Sequence, residues 1–151
     1  MNAILSIKPK YVEEILKGNK KYEFRKSIFK HKDQIEMIYI YSTSPEKKIV
    51  GTFIIKSIIE GHPKLLWERF QDESGISRED FFSYFADRKK GFAIEIGDLH
   101  VLEIPVDPKI LIPDFVPPQS YCYLRGIRFN ELNSNLFQKG ETIDRKINSH
   151  N

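Results

Sequence analysis

The stretch GNKKYEFRK, residues 18–26, places four lysines or arginines around a single glutamate, Glu23. In its second half, aromatic and charged side chains alternate, so that Tyr22 and Phe24 fall on one side of an extended chain and charged residues fall on the other. Alternation with a period of two predicts a β-strand. We expect Tyr22 and Phe24 to face the core, and Glu23 and Arg25 to face solvent.

The residues around this strand predict the rest of the N-terminal half. An apolar run at residues 4–7 predicts a first strand, and Pro9 suits the first turn of a helix, because its missing N–H would be unpaired there. Gly18 is expected to end that helix, since glycine adopts the left-handed backbone without steric cost. Residues 36–42 and 49–59 are rich in β-branched or aromatic side chains and predict two adjacent antiparallel strands.

The next part of the chain predicts two helices and a hairpin. Residues 65–70 are predicted to be helical, and Ser77 is predicted to cap the start of a second helix. Residues 92–96 and 99–104 have the composition of strands. They flank a Gly-Asp pair at residues 97–98, which is a signal for a two-residue hairpin turn.

The last part of the chain is richer in proline and then in polar residues. Five prolines between residues 105 and 118 predict a loop. A short helix is predicted near residues 120–124. Residues 133–151 are polar and are predicted to form a loosely held C-terminal tail.

The composition limits the class of protein. With 151 residues, a formal net charge of +3, 40% hydrophobic and 30% charged residues, the chain has the size and balance of one globular domain. The single cysteine cannot form an internal disulfide, and the four scattered histidines show no zinc-like spacing, so no metal and no cofactor are predicted. The apolar N-terminal run is too short for a signal peptide or a membrane span, which predicts a cytoplasmic protein.

Positive charge is concentrated around the quoted stretch. Residues 17–32 contain seven lysines or arginines and one acid, Glu23. Such a cluster is typical of a surface that binds phosphate groups, although a solvated strand face and loop would look the same. A ligand that carries phosphate groups is therefore the expected partner. The residues predicted to bind it are Lys20, Lys21, Glu23, Arg25, Lys26, Tyr41, Ser42 and Thr43.

These residues resemble a known signature. Residues 18–25 match the G-x-K-x-x-E-x-R signature of the ASCH domain, a branch of the PUA-like superfamily, and they lie between the first predicted helix and the second strand, as in that family. Further similar features are found at residues 41–45, 49–53, 91–96 and 117–120. The resemblance covers about residues 3–130.

The resemblance implies a fold and a place for the site. The expected fold is α+β, with a PUA-like mixed, mainly antiparallel β-barrel and peripheral helices, in a domain at residues 1–132. It also implies a cleft beside the second strand, which the charged side chains enter and residues 119–121 close on one side. Relatives in the superfamily include RNA-modification modules, readers of modified bases, acetylcytidine hydrolases and proteins proposed to cleave RNA. The fold alone does not choose among these activities.

Glu23 has two functional interpretations. It could accept hydrogen bonds from the edge of a base, or it could act as a general base while Lys20 polarises a carbonyl or phosphate. A structural role, in which Glu23 only orients the neighbouring cations, stays open as well. Tyr22, Tyr39 and Tyr41 would offer stacking surfaces for bases if they faced the cleft.

The resemblance makes binding of RNA, of another single-stranded nucleic acid or of a nucleotide-like ligand the leading hypothesis. The expected context is RNA metabolism or the regulation of transcription or translation. The alternative is a small metal-independent hydrolase of a modified nucleoside, or a ribonuclease, in which Lys20 and Glu23 would be catalytic. In the acetylcytidine hydrolases the resemblance implies a threonine where this chain has Glu23, and this departure argues against that activity. A third hypothesis is a module that binds an acidic protein partner through its basic strand.

Overall fold

The computed structural model describes residues 1–110 and 112–124. They form a six-stranded mixed sheet that curls into a half-barrel, with three α-helices at its periphery. The strands are Asn2–Ile7 (β1), Tyr22–Arg25 (β2), Met37–Ser42 (β3), Lys48–Gly61 (β4), Gly91–Val106 (β5) and Tyr121–Leu124 (β6). The helices are Pro9–Leu16 (α1), Pro63–Phe70 (α2) and Arg78–Phe85 (α3). None of the helices in the described ranges has the length and apolar character needed to cross a membrane.

The strands lie in the order β2-β5-β4-β3-β1-β6. β1 and β3 are parallel, and the other neighbouring pairs are antiparallel. This arrangement confirms the predicted mixed, mainly antiparallel sheet and the predicted pairing of β3 with β4. β2 lies at one edge and pairs with β5, so that Glu23 lies opposite Ile94 and Phe24 lies opposite Ala93.

β4 and β5 are the longest strands of the described sheet, and their pairing is irregular. The register between them shifts at three places, and irregularities of this kind increase the local twist and bend of a sheet. The predicted hairpin at residues 97–98 is wrong, because β5 continues through the Gly-Asp pair and is paired with β4 on both sides of it. The pair is accommodated within the strand, with Asp98 at a φ of 41°. Pairing with a long partner strand therefore outweighs the local turn signal.

The predicted helix near residues 120–124 is also wrong. This segment is the strand β6, which pairs antiparallel with β1 and places Cys122 opposite Ile4. The free edge of β1 offers main-chain hydrogen bonds that a short isolated helix would not obtain. The predicted boundary at residue 132 and the predicted tail at residues 133–151 lie outside the described residues.

Two helices pack against the aromatic side of β2. The predicted helices at α2 and α3 are confirmed, and Ser77 caps α3 by accepting a hydrogen bond at Oγ from the Asp80 N–H at 3.1 Å. Phe24 of β2 packs edge-on against Phe81 of α3, with ring centroids 4.9 Å apart, and Phe81 is fully buried. The aromatic side of β2 therefore faces the core as predicted, and this packing holds α3 alongside β2.

Candidate functional site

A cavity of about 590 Å³ lies between β2, α1 and α3. The turn before β2 contributes Lys20 to its wall, and β2 contributes Glu23 and Arg25. Tyr11 of α1 and Tyr84 of α3 also line it. The cavity thus combines charged groups with aromatic side chains.

The charged side of β2 is buried, so the prediction that Glu23 and Arg25 face solvent is wrong. The two residues are only 7% and 9% exposed. Their side chains form an ion pair, with Arg25 Nη2 2.8 Å from Glu23 Oε2. The reason is that the segments around Ser6 and Ser120 cover this side of the strand and contact the guanidinium.

Arg25 is held in place by main-chain and side-chain acceptors. Its Nη2 donates to the Ser6 carbonyl at 2.9 Å, and its Nη1 donates to Ser120 Oγ at 3.2 Å. The buried Nε has no hydrogen-bond partner. A planar guanidinium fixed in this way is suited to recognise a phosphate or carboxylate.

Lys20 is more deeply buried than either partner, with 3% exposure. Its Nζ donates to the Ser74 carbonyl at 2.6 Å and lies 3.8 Å from Glu23 Oε1. Burial lowers the pKa of the Lys20 amine to about 8 because it disfavours the charged form; the Glu23 charge opposes this effect, and the Arg25 charge adds to it. Lys20 therefore changes its protonation state near pH 8.

Lys20, Glu23 and Arg25, which we call the charged cluster, contain two cations and one carboxylate. Both cations contact the same carboxylate, at different oxygens. When Lys20 is protonated, the cluster carries an excess positive charge in a largely buried place, where charge is costly unless it is paired. An anionic group that enters the cavity would compensate this charge.

Lys21 and Lys26 are not among the residues that line the cavity. The Lys21 side chain is 58% exposed and pairs with Glu73 at 3.1 Å. The Lys26 ammonium lies 4.7 Å from the ring centroid of Tyr84, and its main-chain N–H donates to the Tyr84 hydroxyl. These two cations extend the positive charge outside the charged cluster.

The three predicted residues at the end of β3 lie in different environments. The Tyr41 ring packs in the core against Phe115, with centroids 5.4 Å apart. Ser42 is 1% exposed. Thr43 lines the cavity. Of the three, the structure thus brings only Thr43 to the cavity wall.

The tyrosines that line the cavity are not those considered for base stacking. Tyr22 stacks on Phe70 at 4.2 Å between ring centroids, and Tyr39 is fully buried. Tyr11 and Tyr84 line the cavity instead. Sequence reasoning missed both, because their helices were read for the side that packs on the core.

Within residues 1–110 and 112–124, no group of three or more His, Cys, Asp or Glu side chains is arranged to hold a metal ion. The side chains that line the cavity supply amine, carboxylate, guanidinium and hydroxyl groups. Together these groups can bind a phosphate, accept hydrogen bonds from a base and transfer a proton.

Known proteins are similar to this chain in sequence and in fold. The family described as "Domain of unknown function (DUF365)" matches residues 2–115. An "ASCH domain-containing ribonuclease" from Zymomonas mobilis is 31% identical over 125 residues, which are 82% of this chain and 84% of the relative. The crystal structure of ASCH from Zymomonas mobilis has a TM-score of 0.79 and 29% identity, over 88% of this chain and 94% of that chain.

A more distant structure shares the fold alone. The N-terminal domain of Staphylothermus marinus McrB has a TM-score of 0.56 at 15% identity, and the match covers 88% of this chain and 93% of that chain. The half-barrel sheet with peripheral helices and these structural neighbours confirm the predicted α+β, PUA-like fold class. The chain belongs to the ASCH domain family and carries the domain described as DUF365.

Proposed function

We propose that this protein binds single-stranded RNA and cleaves it at the charged cluster. The observation that carries the proposal is the pair of buried cations around one carboxylate in the wall of a cavity. This arrangement favours an anion, and positive charge beside aromatic side chains is typical of proteins that bind single-stranded nucleic acids. Similarity to a relative named a ribonuclease, over most of both chains, supports cleavage in addition to binding.

The size of the cavity favours one nucleotide of an unpaired strand. Its volume of about 590 Å³ lies within the range of about 300–1,000 Å³ that is usual for small-molecule sites. A base can enter such a cavity only when it is neither stacked nor paired, as in single-stranded loops and ends. Double-stranded RNA is therefore a poor substrate.

The three residues of the charged cluster have different roles in this proposal. Arg25 places its guanidinium charge beside the phosphate that is attacked and stabilises the charge that develops on it, while the contacts of its Nη atoms within the protein are kept. Glu23 Oε1 lies 3.8 Å from the ammonium of Lys20, which is longer than a hydrogen bond. This oxygen can therefore accept a hydrogen bond from the edge of the base.

Lys20 supplies the base in this mechanism. In its neutral form the amine accepts the proton of the ribose 2′-hydroxyl, whose oxygen forms a bond to the adjacent phosphorus. The bond from phosphorus to the 5′ oxygen breaks, and that oxygen takes a proton from a water molecule. The hydroxide that remains is neutralised by the proton that Lys20 then releases, which restores the neutral amine. The products are a 2′,3′-cyclic phosphate and a 5′-hydroxyl. An amine with a pKa of about 8 is suited to this step, because a useful fraction of it is neutral near neutral pH.

The remaining sequence-predicted residues act around this centre. Lys21 and Lys26 contact phosphates of the neighbouring nucleotides outside the cavity. Thr43 donates a hydrogen bond to the nucleotide from the cavity wall. Tyr41 and Ser42 hold Thr43 in position from the core.

The pH dependence of cleavage tests the proposal. Below the Lys20 pKa of about 8 the neutral amine becomes scarcer, so kcat/KM for a single-stranded RNA oligonucleotide is expected to fall about tenfold for each pH unit. Above that pH it should reach a plateau. The measurement is the rate of cleavage across this range, with enzyme-free RNA as the control for alkaline hydrolysis, and the identity of the products by mass spectrometry.

A DNA oligonucleotide of the same sequence is the matched control substrate. It has the phosphates but no 2′-hydroxyl, so it should bind and stay intact. Cleavage of the DNA, or RNA products that end in a 3′-hydroxyl, would exclude attack by the 2′-hydroxyl. A cleavage rate that falls as the pH rises through 8 would show that Lys20 acts in its charged form, and bound RNA that stays intact would limit the function to binding.

Substitution of Glu23 by Gln separates its roles. The Glu23 charge raises the pKa of Lys20, so its removal is expected to shift the rising limb of the pH profile to lower pH. Affinity for RNA of random sequence should stay equal or increase, because a negative charge is lost. Preference for the best-bound base should decrease by roughly 1–3 kcal/mol.

The control for this variant is Glu60→Gln, which removes an exposed carboxylate paired with Lys90, away from the cavity. It should leave both the pH profile and the base preference unchanged. A Glu23→Gln profile that superimposes on the wild-type profile would contradict the proposed coupling between Glu23 and Lys20.

A further inference from the structure

A loop that is distant in sequence contacts Lys20. Residues 71–76 connect α2 to α3, and Ser74 lies 54 positions after Lys20. The Ser74 carbonyl accepts the hydrogen bond from Lys20 Nζ at 2.6 Å, and the two residues are 1% and 3% exposed. Because the acceptor is a main-chain atom, its position depends on the backbone of the loop and not on a rotatable side chain.

The loop is itself held firmly. Ser74 Oγ donates to the Gln71 carbonyl at 2.8 Å, and the Ser74 N–H donates to the same carbonyl at 3.3 Å. On the other side, the Lys21 N–H donates to the Glu73 carbonyl at 2.8 Å, and the side chains of these two residues form an ion pair. The loop is therefore fastened to the residue that follows Lys20.

Gly75 lets the loop lie directly against the Lys20 side chain. Its φ of 61° is in the left-handed region, and a Cβ at this position would overlap Lys20 Cβ and lie 2.8 Å from Lys20 Cγ. A residue with a side chain would have to displace the Lys20 stem or move the loop. Glycine thus satisfies two requirements at once, a backbone conformation and a close approach.

We propose that residues 71–76, which we call the Lys20 clamp, are a positioning element of the site. In this element Gly75 covers the stem of Lys20, and the Ser74 carbonyl directs Nζ to its place beside Glu23. The proposal rests on the proposed function only in so far as Lys20 serves the reaction. The geometry that the clamp imposes on Lys20 is a property of the free protein.

The clamp also explains why the Lys20 amine is desolvated. Burial is the main cause of its lowered pKa, and the loop is one of the walls that bury it. Displacement of Lys20 would admit water to the ammonium, which favours the charged form. The pKa of a displaced Lys20 is therefore expected to rise toward the ordinary value of 10.5.

The substitution Gly75→Ala tests the clamp, and Gly18→Ala is its matched control. Both glycines have positive φ, at 61° and 85°, but a Cβ on Gly18 would have nothing within 4 Å. The readout is the titration of the Lys20 13Cε chemical shift by NMR without RNA, assigned with a Lys20→Arg variant. The midpoint is expected to rise by about one pH unit or more in Gly75→Ala and to stay near 8 in Gly18→Ala.

Kinetics provide the second readout. A misplaced amine should lower kcat for RNA cleavage by about 10²-fold in Gly75→Ala, with a smaller change in KM.

A folded Gly75→Ala protein whose midpoint stays near 8 would overturn the proposal. If this variant does not fold, Ser74→Ala is the second test, because it removes the Oγ contact to Gln71 and keeps the main-chain carbonyl that accepts from Lys20. It should shift the midpoint of the Lys20 titration upward by a smaller amount. No shift would overturn the proposal. A wild-type protein that does not cleave RNA refutes the proposed function and leaves the titration as the test of the clamp.

Discussion

Replacement of Lys20 by Met is expected to lower the rate of RNA cleavage by about 10²-fold or more and yet to raise the free energy of unfolding at neutral pH. Cleavage falls because Met cannot accept a proton. Stability rises because Met fills a similar volume without a buried charge. The decrease of the Lys20 pKa from 10.5 to about 8 corresponds to a cost of up to about 3 kcal/mol in the folded state. Loss of the hydrogen bond to Ser74 reduces the gain.

The pH dependence of stability gives the sign of this effect. The folded-state pKa of Lys20 is below the unfolded-state value, so between about pH 8 and 10.5 the unfolded chain binds more protons than the folded protein. The contribution of Lys20 to stability therefore becomes less unfavourable as the pH rises through this window, and its cost is fully present below about pH 8.

Urea unfolding of both proteins across this range, together with gel assays of cleavage, tests the prediction. Lys21→Met is the matched control, since it removes a neighbouring ammonium that is largely exposed; it should change stability by no more than about 0.5 kcal/mol. Wild-type turnover in Lys20→Met would remove Lys20 from the reaction. A less stable Lys20→Met protein would show that its ammonium stabilises the fold.

Replacement of Arg25 by Met is expected to lower the free energy of unfolding by about 3–5 kcal/mol. The change leaves the buried Glu23 carboxylate with Lys20 as its cation, at 3.8 Å. It also removes the donors to the Ser6 carbonyl and to Ser120 Oγ. Removing one member of a buried ion pair costs more than the pair contributes, because the other charge stays buried.

Urea unfolding at neutral pH measures this loss, and the double variant Glu23→Gln with Arg25→Met identifies its origin. If the cost comes from the unpaired carboxylate, the double variant should be more stable than Arg25→Met alone. A loss of less than about 1 kcal/mol in Arg25→Met would mean that water reaches Glu23 and that the cluster is less buried than its exposure indicates.

Alternation in the sequence assigned the residues of β2 to its two sides correctly. The environment expected for the charged side, solvent, was wrong, because that side is buried. Alternation tells which side chains share a side and does not tell what covers each side. Tyr22 and Phe24 were expected to face the core, and α2 and α3 pack there. Glu23 and Arg25 were expected to face solvent because they are charged, whereas a cavity wall made by distant segments buries them. Only the family resemblance pointed to a cleft on that side.

The errors at residues 97–98 and 120–124 have a common physical cause. The hairpin prediction used a local signal, the Gly-Asp pair, and the helix prediction concerned a segment of only five residues. Each segment lies beside a long or unpaired strand edge, and main-chain pairing along that edge outweighs a local preference of about 1 kcal/mol. The helices at 65–70 and after Ser77 were predictable because capping and periodicity act within the segment itself.

The position of Lys20 could not be predicted from the spacing of the signature. It precedes the strand, so alternation does not apply to it, and its hydrogen-bond acceptor, Ser74, is 54 positions away. The Ser-Gly pair at residues 74–75 would be read in the sequence only as a loop. Its importance depends on a tertiary contact that one sequence does not contain.

The four-residue strand β2 also sets a limit on changes in chain length. Its pairing with β5 places Glu23 opposite Ile94 and Phe24 opposite Ala93. If one residue were inserted or deleted between Gly18 and β2, a compensating slip along β5 would turn aromatic rings into the cavity and charges into the core. Substitution of Asn19, which lies in this connection, should therefore be tolerated where an insertion or deletion is not. The number of residues between the helix and the strand is thus as much a part of the site as the side chains that line it.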